Sequence, residues 1–239
     1  MLKIGHGTRK TLARARLPDL VILLRVVLAF VVLGLFSLPF PYPAWALLLT
    51  VVAIAMDALD GWLARRLGVA SDLGAVLDIT GDRIVEHVFW IYFTVAGLVP
   101  IWVPLAIVSR SFVVDAIRSV ALSNGRTPFG EKTMQRSALS RFLVASRAMR
   151  SVYGLAKVAA FVLLGAVVAI GKAAAGGRAL MSAGAAVWFA GVTDAVVLLT
   201  VLICVVRAVP VVWDARSFFR HRPRAARPRR RPRPLAERG

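Results

Sequence analysis

Residues Asp57 to Asp82 read DALDGWLARRLGVASDLGAVLDITGD. The stretch sets four carboxylates in two pairs, Asp57 with Asp60 and Asp78 with Asp82, on either side of a short turn. Residues three or four apart share one helix face, so each pair points one way, and a tight hairpin of two helices would make all four converge. Strongly apolar sequence flanks both pairs. That puts the acids at the ends of membrane helices, where an ionised group is costly and marks function. The hairpin predicts both a membrane fold and a site for something positive.

Working outward, hydrophobic runs of spanning length recur at Leu20 to Leu38, Ala44 to Ala64, Leu73 to Leu98, Ile101 to Leu122, Val152 to Ile170 and Ser182 to Val206. They predict an all-α polytopic membrane protein with six transmembrane helices. A hydrophobic content of 59% and a mean hydropathy of +0.73 over 239 residues fit that class and exclude an ordinary soluble domain. Pro39, Pro41 and Pro43 punctuate the first connection, Gly97 and Pro100 the third, and Gly171 to Arg178 form the fifth. Cys204 has no intrachain partner, which excludes a disulfide framework, and His6, His87 and His221 are too widely spaced to suggest a metal site.

Charge divides the chain further. Residues 1–17 carry Lys3, Arg9, Lys10, Arg14 and Arg16 and read as a basic interfacial helix on an anionic membrane surface, rather than as a signal peptide. Residues 18–208 form the six-helix domain. Residues 209–239 form an Arg- and Pro-rich tail that cannot bury a core and is expected to be disordered. The tail contributes +8 of the net charge of +19, yet no aromatic residue follows Phe219 to stack on bases, so anionic lipid rather than nucleic acid is its expected partner. The second and fourth connections hold Arg65, Arg66, Arg126, Lys132, Arg136, Arg141, Arg147 and Arg150, while the first and third hold no Lys or Arg and the fifth only Lys172 and Arg178. Basic loops stay inside. Both termini and the aspartate hairpin are therefore expected to face the cytoplasm, in a cytoplasmic membrane.

Four ionised carboxylates are balanced by two divalent cations, and hard oxygen donors select magnesium, manganese or calcium over zinc. Magnesium prefers a few carboxylates, water and phosphate oxygens to an all-protein cage, which points to a pyrophosphate-bearing substrate. Arg65, one turn beyond Asp60, would neutralise the remaining phosphate charge. Gly61 and Gly74 allow close approach of a nucleotide, and Ala64 keeps the same face shallow. Ser71, Thr80 and Cys204 lack the adjacent base that covalent catalysis needs, and His87 reads as a packing residue.

These residues compose the pattern Asp57-x2-Asp60-Gly61-x2-Ala64-Arg65-x8-Gly74-x3-Asp78-x3-Asp82, which resembles the CDP-alcohol phosphatidyltransferases at every motif position. The resemblance implies a homodimer of six-helix protomers that transfers a phosphatidyl group from CDP-diacylglycerol to an alcohol and releases CMP. By this likeness Asp57, Asp60, Asp78 and Asp82 ligate two Mg2+ ions, with Mn2+ as an alternative, and Asp82 also acts as base on the acceptor hydroxyl. Asp60, Gly61, Ala64, Arg65 and Gly74 would surround the CDP-lipid.

The acceptor pocket must come from elsewhere. Arg25, Arg110, Arg118 and Lys157 sit within or beside apolar helices, where cations need an anionic partner, and a phosphorylated alcohol supplies one. Arg110, Arg118 and Lys157 are the expected acceptor-binding residues, with pairing to Asp115 as the structural alternative for the two arginines. The segment from Leu17 through Arg25, Ser109 through Arg118, and Gly154 through Lys157 resemble phosphatidylglycerophosphate synthases. Those enzymes usually have proline after the third aspartate and lysine after the fourth. Here Ile79 and Arg83 stand instead, and the run Gly74 to Asp78 with Asp82-Arg83-Ile84 is closer to phosphatidylinositol-phosphate synthases. Glycerol 3-phosphate is the favoured acceptor and inositol phosphate the alternative. A cation-binding transporter is the alternative of another class, but it would want its acids nearer mid-membrane.

Overall fold

The computed structural model describes residues 6–67, 72–123 and 141–220, and at 6–18, 57–67, 72, 73, 75, 122, 123, 141, 145, 147 and 217–220 their helical backbone alone. Among these residues there are six long α-helices and no strand: α1 (His6–Ser37), α2 (Tyr42–Leu67), α3 (Asp72–Val95), α4 (Trp102–Ser123), α5 (Arg147–Ala175) and α6 (Ala183–Arg220). A π-helical turn, Arg141–Ala145, precedes α5. The expected basic segment is continuous with the first apolar run, because α1 extends unbroken from His6. At the other end α6 carries on to Arg220, past the end of its apolar run at Val206 and through Pro210, whose missing N–H leaves the Val206 carbonyl without its helical donor.

Among the described residues three stretches are long and apolar enough to cross a membrane: Asp19–Ser37 in α1, Ala148–Ala175 in α5 and Ala183–Arg216 in α6. Helix α2 contributes a shorter apolar stretch, Tyr42–Met56. Helices α3 and α4 have the length but carry charge in their middles, Asp78, Asp82, Arg83 and Glu86 on the first and Arg110, Asp115 and Arg118 on the second. That charge is the site.

The core forms where all six helices meet. Phe36, Phe89, Trp90, Phe93, Phe161 and Leu164 are almost wholly buried, and the Phe89 and Phe161 rings stack with centroids 5.0 Å apart. Outward positions such as Leu23, Phe30, Leu198, Leu202 and Val209 are just as apolar and are exposed. Helices apolar on every side are those of a bundle whose solvent is lipid. With no oil-water contrast to drive association, close packing must hold such helices together. At Gly165 an added Cβ would lie 2.7 Å from Phe36 Cζ and 3.2 Å from Leu47 Cδ1, so the missing side chain is what lets α5 meet α1 and α2. Buried hydroxyls are satisfied within the bundle: Thr50 donates to the Ala46 carbonyl, and Thr200 to those of Val196 and Ala156.

The connections are set by glycine. Gly97 and Gly177 both adopt φ of +75°, and in each case the following amide reaches back five residues, Leu98 N–H to the Phe93 carbonyl and Arg178 N–H to the Ala173 carbonyl. This is the left-handed stop that closes a helix. The expected connection from Gly171 is shorter than its sequence suggested, because Lys172 to Ala175 are strong helix formers and carry α5 on to Ala175. Ser146 caps the other end of α5, its Oγ accepting from Met149 N–H at 3.1 Å. Lys172 Nζ donates to the Ser37 carbonyl at 3.4 Å and the Arg178 guanidinium lies 5.5 Å from the Phe40 ring centre. The first and fifth connections therefore share one end of the bundle.

Candidate active site

Asp78, Asp82 and Glu86 follow one another at four-residue intervals on α3, so they form a slightly spiralling ladder on one face. Helix α1 presents Arg25 to that ladder. Its Nη2 lies 2.8 Å from Asp82 Oδ1 and 3.7 Å from Asp78 Oδ1, with the arginine side chain 3% exposed and the two carboxylates close to half exposed. Gly81 makes this approach possible: a Cβ there would stand 2.8 Å from Ile22 Cγ2 and 3.5 Å from Arg25 Nη2. The two carboxylates thus converge on a single position that already attracts positive charge. Hard oxygen donors meeting at one point suit a divalent cation.

A cleft opens beside the ladder, walled by α1, α2, α3 and α5. Arg25, Asp82, Glu86 and Lys157 line it with charge, and Ala53, Ile54, Val85, Phe89 and Phe161 supply apolar wall. Ala53 and Ile54 lie one helical turn before Asp57, so the backbone of α2 carries the first aspartate pair on from the cleft wall.

Beyond the ladder lies a connected group of charges centred on Tyr153 of α5. Its hydroxyl donates to Glu86 Oε1 at 2.6 Å and sits 3.5 Å from Cys204 Sγ. Arg110, Lys157 and Arg207 approach its ring at 5.8, 5.8 and 5.3 Å from the centroid. Glu86 is 3% exposed and its Oε2 also takes Lys157 Nζ at 3.4 Å and Arg83 Nη1 at 3.5 Å. Arg83 bridges onward to Asp115 through bonds of 3.2 and 3.3 Å, and Arg118 joins the same carboxylate at 3.8 Å. In this group Arg83, Arg110, Arg118, Lys157 and Arg207 outnumber Glu86 and Asp115. Arg110 Nε is buried with no hydrogen-bond partner among the described residues. The surplus of guanidinium donors is the chemistry that binds phosphate.

The expected site residues divide accordingly. Asp78 and Asp82 come together, and Gly74 is half-buried in the first turn of α3. For Asp57, Asp60, Gly61, Ala64 and Arg65 only the helical backbone is described, and the turn between α2 and α3 lies outside the described residues. Among the described residues no three acidic, His or Cys side chains are grouped closely enough to hold a metal ion by themselves. Arg110, Arg118 and Lys157 join one network, although Asp115 takes its shortest bonds from Arg83. Arg25 faces Asp78 and Asp82. His87 turns toward α4, with its ring 6.4 Å from that of Phe112. Sequence reasoning missed Glu86, Tyr153 and Arg207. Glu86 carried a readable signal, since it extends the four-residue spacing of Asp78 and Asp82; Tyr153 and Arg207 carried none, because only the packing of α5 against α6 brings them to this face.

The sequence profile described as CDP-alcohol phosphatidyltransferase matches residues 15–203. The chain belongs to that family. Among CDP-alcohol phosphatidyltransferase family relatives it is similar to an archaetidylinositol phosphate synthase of Aeropyrum pernix, 33% identical over 120 residues that cover 47% of this chain and 61% of the relative. It is also similar to the CDP-diacylglycerol-glycerol-3-phosphate 3-phosphatidyltransferases of Bacillus subtilis, 32% identical over 89 residues, and Pseudomonas fluorescens, 35% identical over 114 residues. Those matches cover 37% and 46% of this chain and 46% and 58% of the two relatives. The chain thus spans about half the length of the curated relatives it matches. The family profile takes in the whole aspartate motif, the Arg25 position and the Tyr153 network up to Ile203.

Proposed function

We propose that this protein transfers a phosphatidyl group from CDP-diacylglycerol to a small phosphorylated alcohol and releases CMP. The observation that carries the reading is that one cleft holds both Asp82, the expected base, and Lys157, the near edge of the basic group around Tyr153. An acceptor gripped by its phosphate at Lys157, Arg110 and Arg118 would offer its hydroxyl toward Asp82. Asp82 then takes the hydroxyl proton as the acceptor oxygen bonds to the lipid-bearing phosphorus, and the bond from that phosphorus to the bridging oxygen breaks, so that CMP departs with the electron pair. Asp57, Asp60, Asp78 and Asp82 would hold two Mg2+ ions, whose contribution is to neutralise the pyrophosphate and the developing charge on CMP. Gly61, Ala64, Arg65 and Gly74 would flank the CDP-lipid.

Glycerol 3-phosphate is the favoured acceptor. Inositol phosphate is the second reading, because one similar relative is an archaetidylinositol phosphate synthase. In this reading all six helices span the cytoplasmic membrane as a homodimer, with the site facing the cytoplasm. The charged middles of α3 and α4 are then shielded by the bundle, and the basic N-terminal segment and tail adhere to anionic headgroups. Family membership favours transfer over cation transport.

The test is CMP release by the purified full chain with CDP-diacylglycerol and Mg2+, comparing glycerol 3-phosphate, inositol phosphate, inositol, serine and no acceptor. Release dependent on one phosphorylated alcohol is expected. Release with an uncharged alcohol alone would remove the phosphate role from Arg110, Arg118 and Lys157.

A further inference from the structure

Between Asp19 and Ser37 the only charged side chain after the first residue is Arg25, and it is buried. A lone guanidinium in an apolar membrane helix persists only where an anion meets it. Here the anions are Asp82 Oδ1, at hydrogen-bond distance, and Asp78 Oδ1, one shell further. The contact is built into the helix packing, since the notch at Gly81 lets Ile22 and Arg25 of α1 press against α3 at this level. Neither carboxylate is buried as deeply as the arginine, and Asp82 lines the cleft while its Oδ1 is held by Arg25.

We infer that Arg25 is an internal counter-ion and positioning residue of the aspartate site, sharing the inner oxygens of Asp78 and Asp82 with the divalent cation and thereby weakening the free protein's hold on metal. The inference rests on the reading of these aspartates as metal ligands. Two cations drawing on one oxygen oppose each other. In the metal-free protein Arg25 offsets the repulsion between neighbouring carboxylates and keeps them facing inward; with metal present, its charge raises the dissociation constant. A positively charged substrate-side role is not required for either effect.

Mn2+ binding measured by electron paramagnetic resonance on the purified full chain tests this, alongside melting temperature with and without Mn2+, in wild type, Arg25→Lys and Arg25→Gln. Removing a unit charge in contact with the ligand oxygens should tighten Mn2+ binding about tenfold in Arg25→Gln. That variant should also melt lower without metal and gain more from Mn2+ than wild type, while Arg25→Lys, which keeps the charge on a shorter stem, falls between the two. If Arg25→Gln can be purified only with Mn2+ present, chelator competition gives the same constant. Equal or weaker Mn2+ affinity in Arg25→Gln, with wild type binding Mn2+, overturns the inference alone. Absence of Mn2+ binding by wild type overturns the metal reading, and the inference with it.

Discussion

Gly81→Ala tests the helix contact on which the site depends. The new Cβ would stand 2.8 Å from Ile22 Cγ2, whereas carbon atoms pack at about 3.5–4.0 Å. Helices α1 and α3 must therefore separate by about 0.7–1.2 Å at this level, because Ile22 is β-branched and its χ1 is stiff in a helix. Arg25 Nη2 is only 2.8 Å from Asp82 Oδ1. The same displacement carries that bond to or beyond about 3.5 Å, where it ceases to be one. Overpacking costs about 1–3 kcal/mol, and replacing glycine by alanine in a helix returns about 0.8–1 kcal/mol. The net is about 0–2 kcal/mol of destabilisation, against a gain of about 1 kcal/mol had the position been open. Melting temperature in detergent and CMP release are the assays. A lowered or unchanged melting point with CMP release down about tenfold is expected, and the double variant Gly81→Ala/Ile22→Ala should recover much of the activity by removing the clash. A Gly81→Ala protein that melts higher than wild type and turns over normally would refute the claim that α1 and α3 meet tightly here.

Glu86→Gln keeps the shape but removes the charge facing Lys157 and Arg83, and should cost about 3 kcal/mol, the usual loss when one member of a buried ion pair is removed, read as a lower melting temperature. Lys157→Gln and Arg110→Gln should each raise KM for the phosphorylated acceptor by about tenfold or more, the worth of one charge-assisted hydrogen bond, while KM for the CDP-lipid stays put. Chelation of divalent metal should abolish CMP release, with Mg2+ restoring it and, at a hundredfold excess over its dissociation constant, stabilising the fold by about 2.7 kcal/mol in thermal unfolding.

The helices and the aspartate motif were legible because both depend on local spacing. Runs of apolar residues of membrane length and a period of three to four between carboxylates need no tertiary knowledge. Gly97 was legible for the same reason, as punctuation of the third connection, whereas the left-handed turn at Gly177 was not singled out within the fifth. Partnerships were not. Arg25 and Asp82 are 57 residues apart, and Tyr153 is joined to Cys204 across 51, so nothing in the local pattern could pair Arg25 with Asp82 or gather the basic residues around Tyr153. Arg83 was equally opaque: its position beside Asp82 suggested the motif, but its guanidinium reaches across to Asp115 on α4.

In the proposed reaction the ladder on α3 would also bound the size of the acceptor. Asp82 and Glu86 are one step of four residues apart, a rise of about 6 Å along the helix axis. Asp82 is the proton acceptor in the proposed reaction, and Glu86 holds Lys157, the first cation of the basic group, at 3.4 Å. A substrate that places a hydroxyl at one rung and a phosphate at the next must therefore bridge a few bonds only. A three-carbon alcohol phosphate or a ring polyol phosphate does so, whereas a phospholipid acceptor would have to thread its headgroup past Phe89 and Phe161, which wall the cleft beside the ladder. In the proposed reaction, the spacing of one helical turn would favour a short, doubly functional acceptor, and the charge at its far end would favour phosphate.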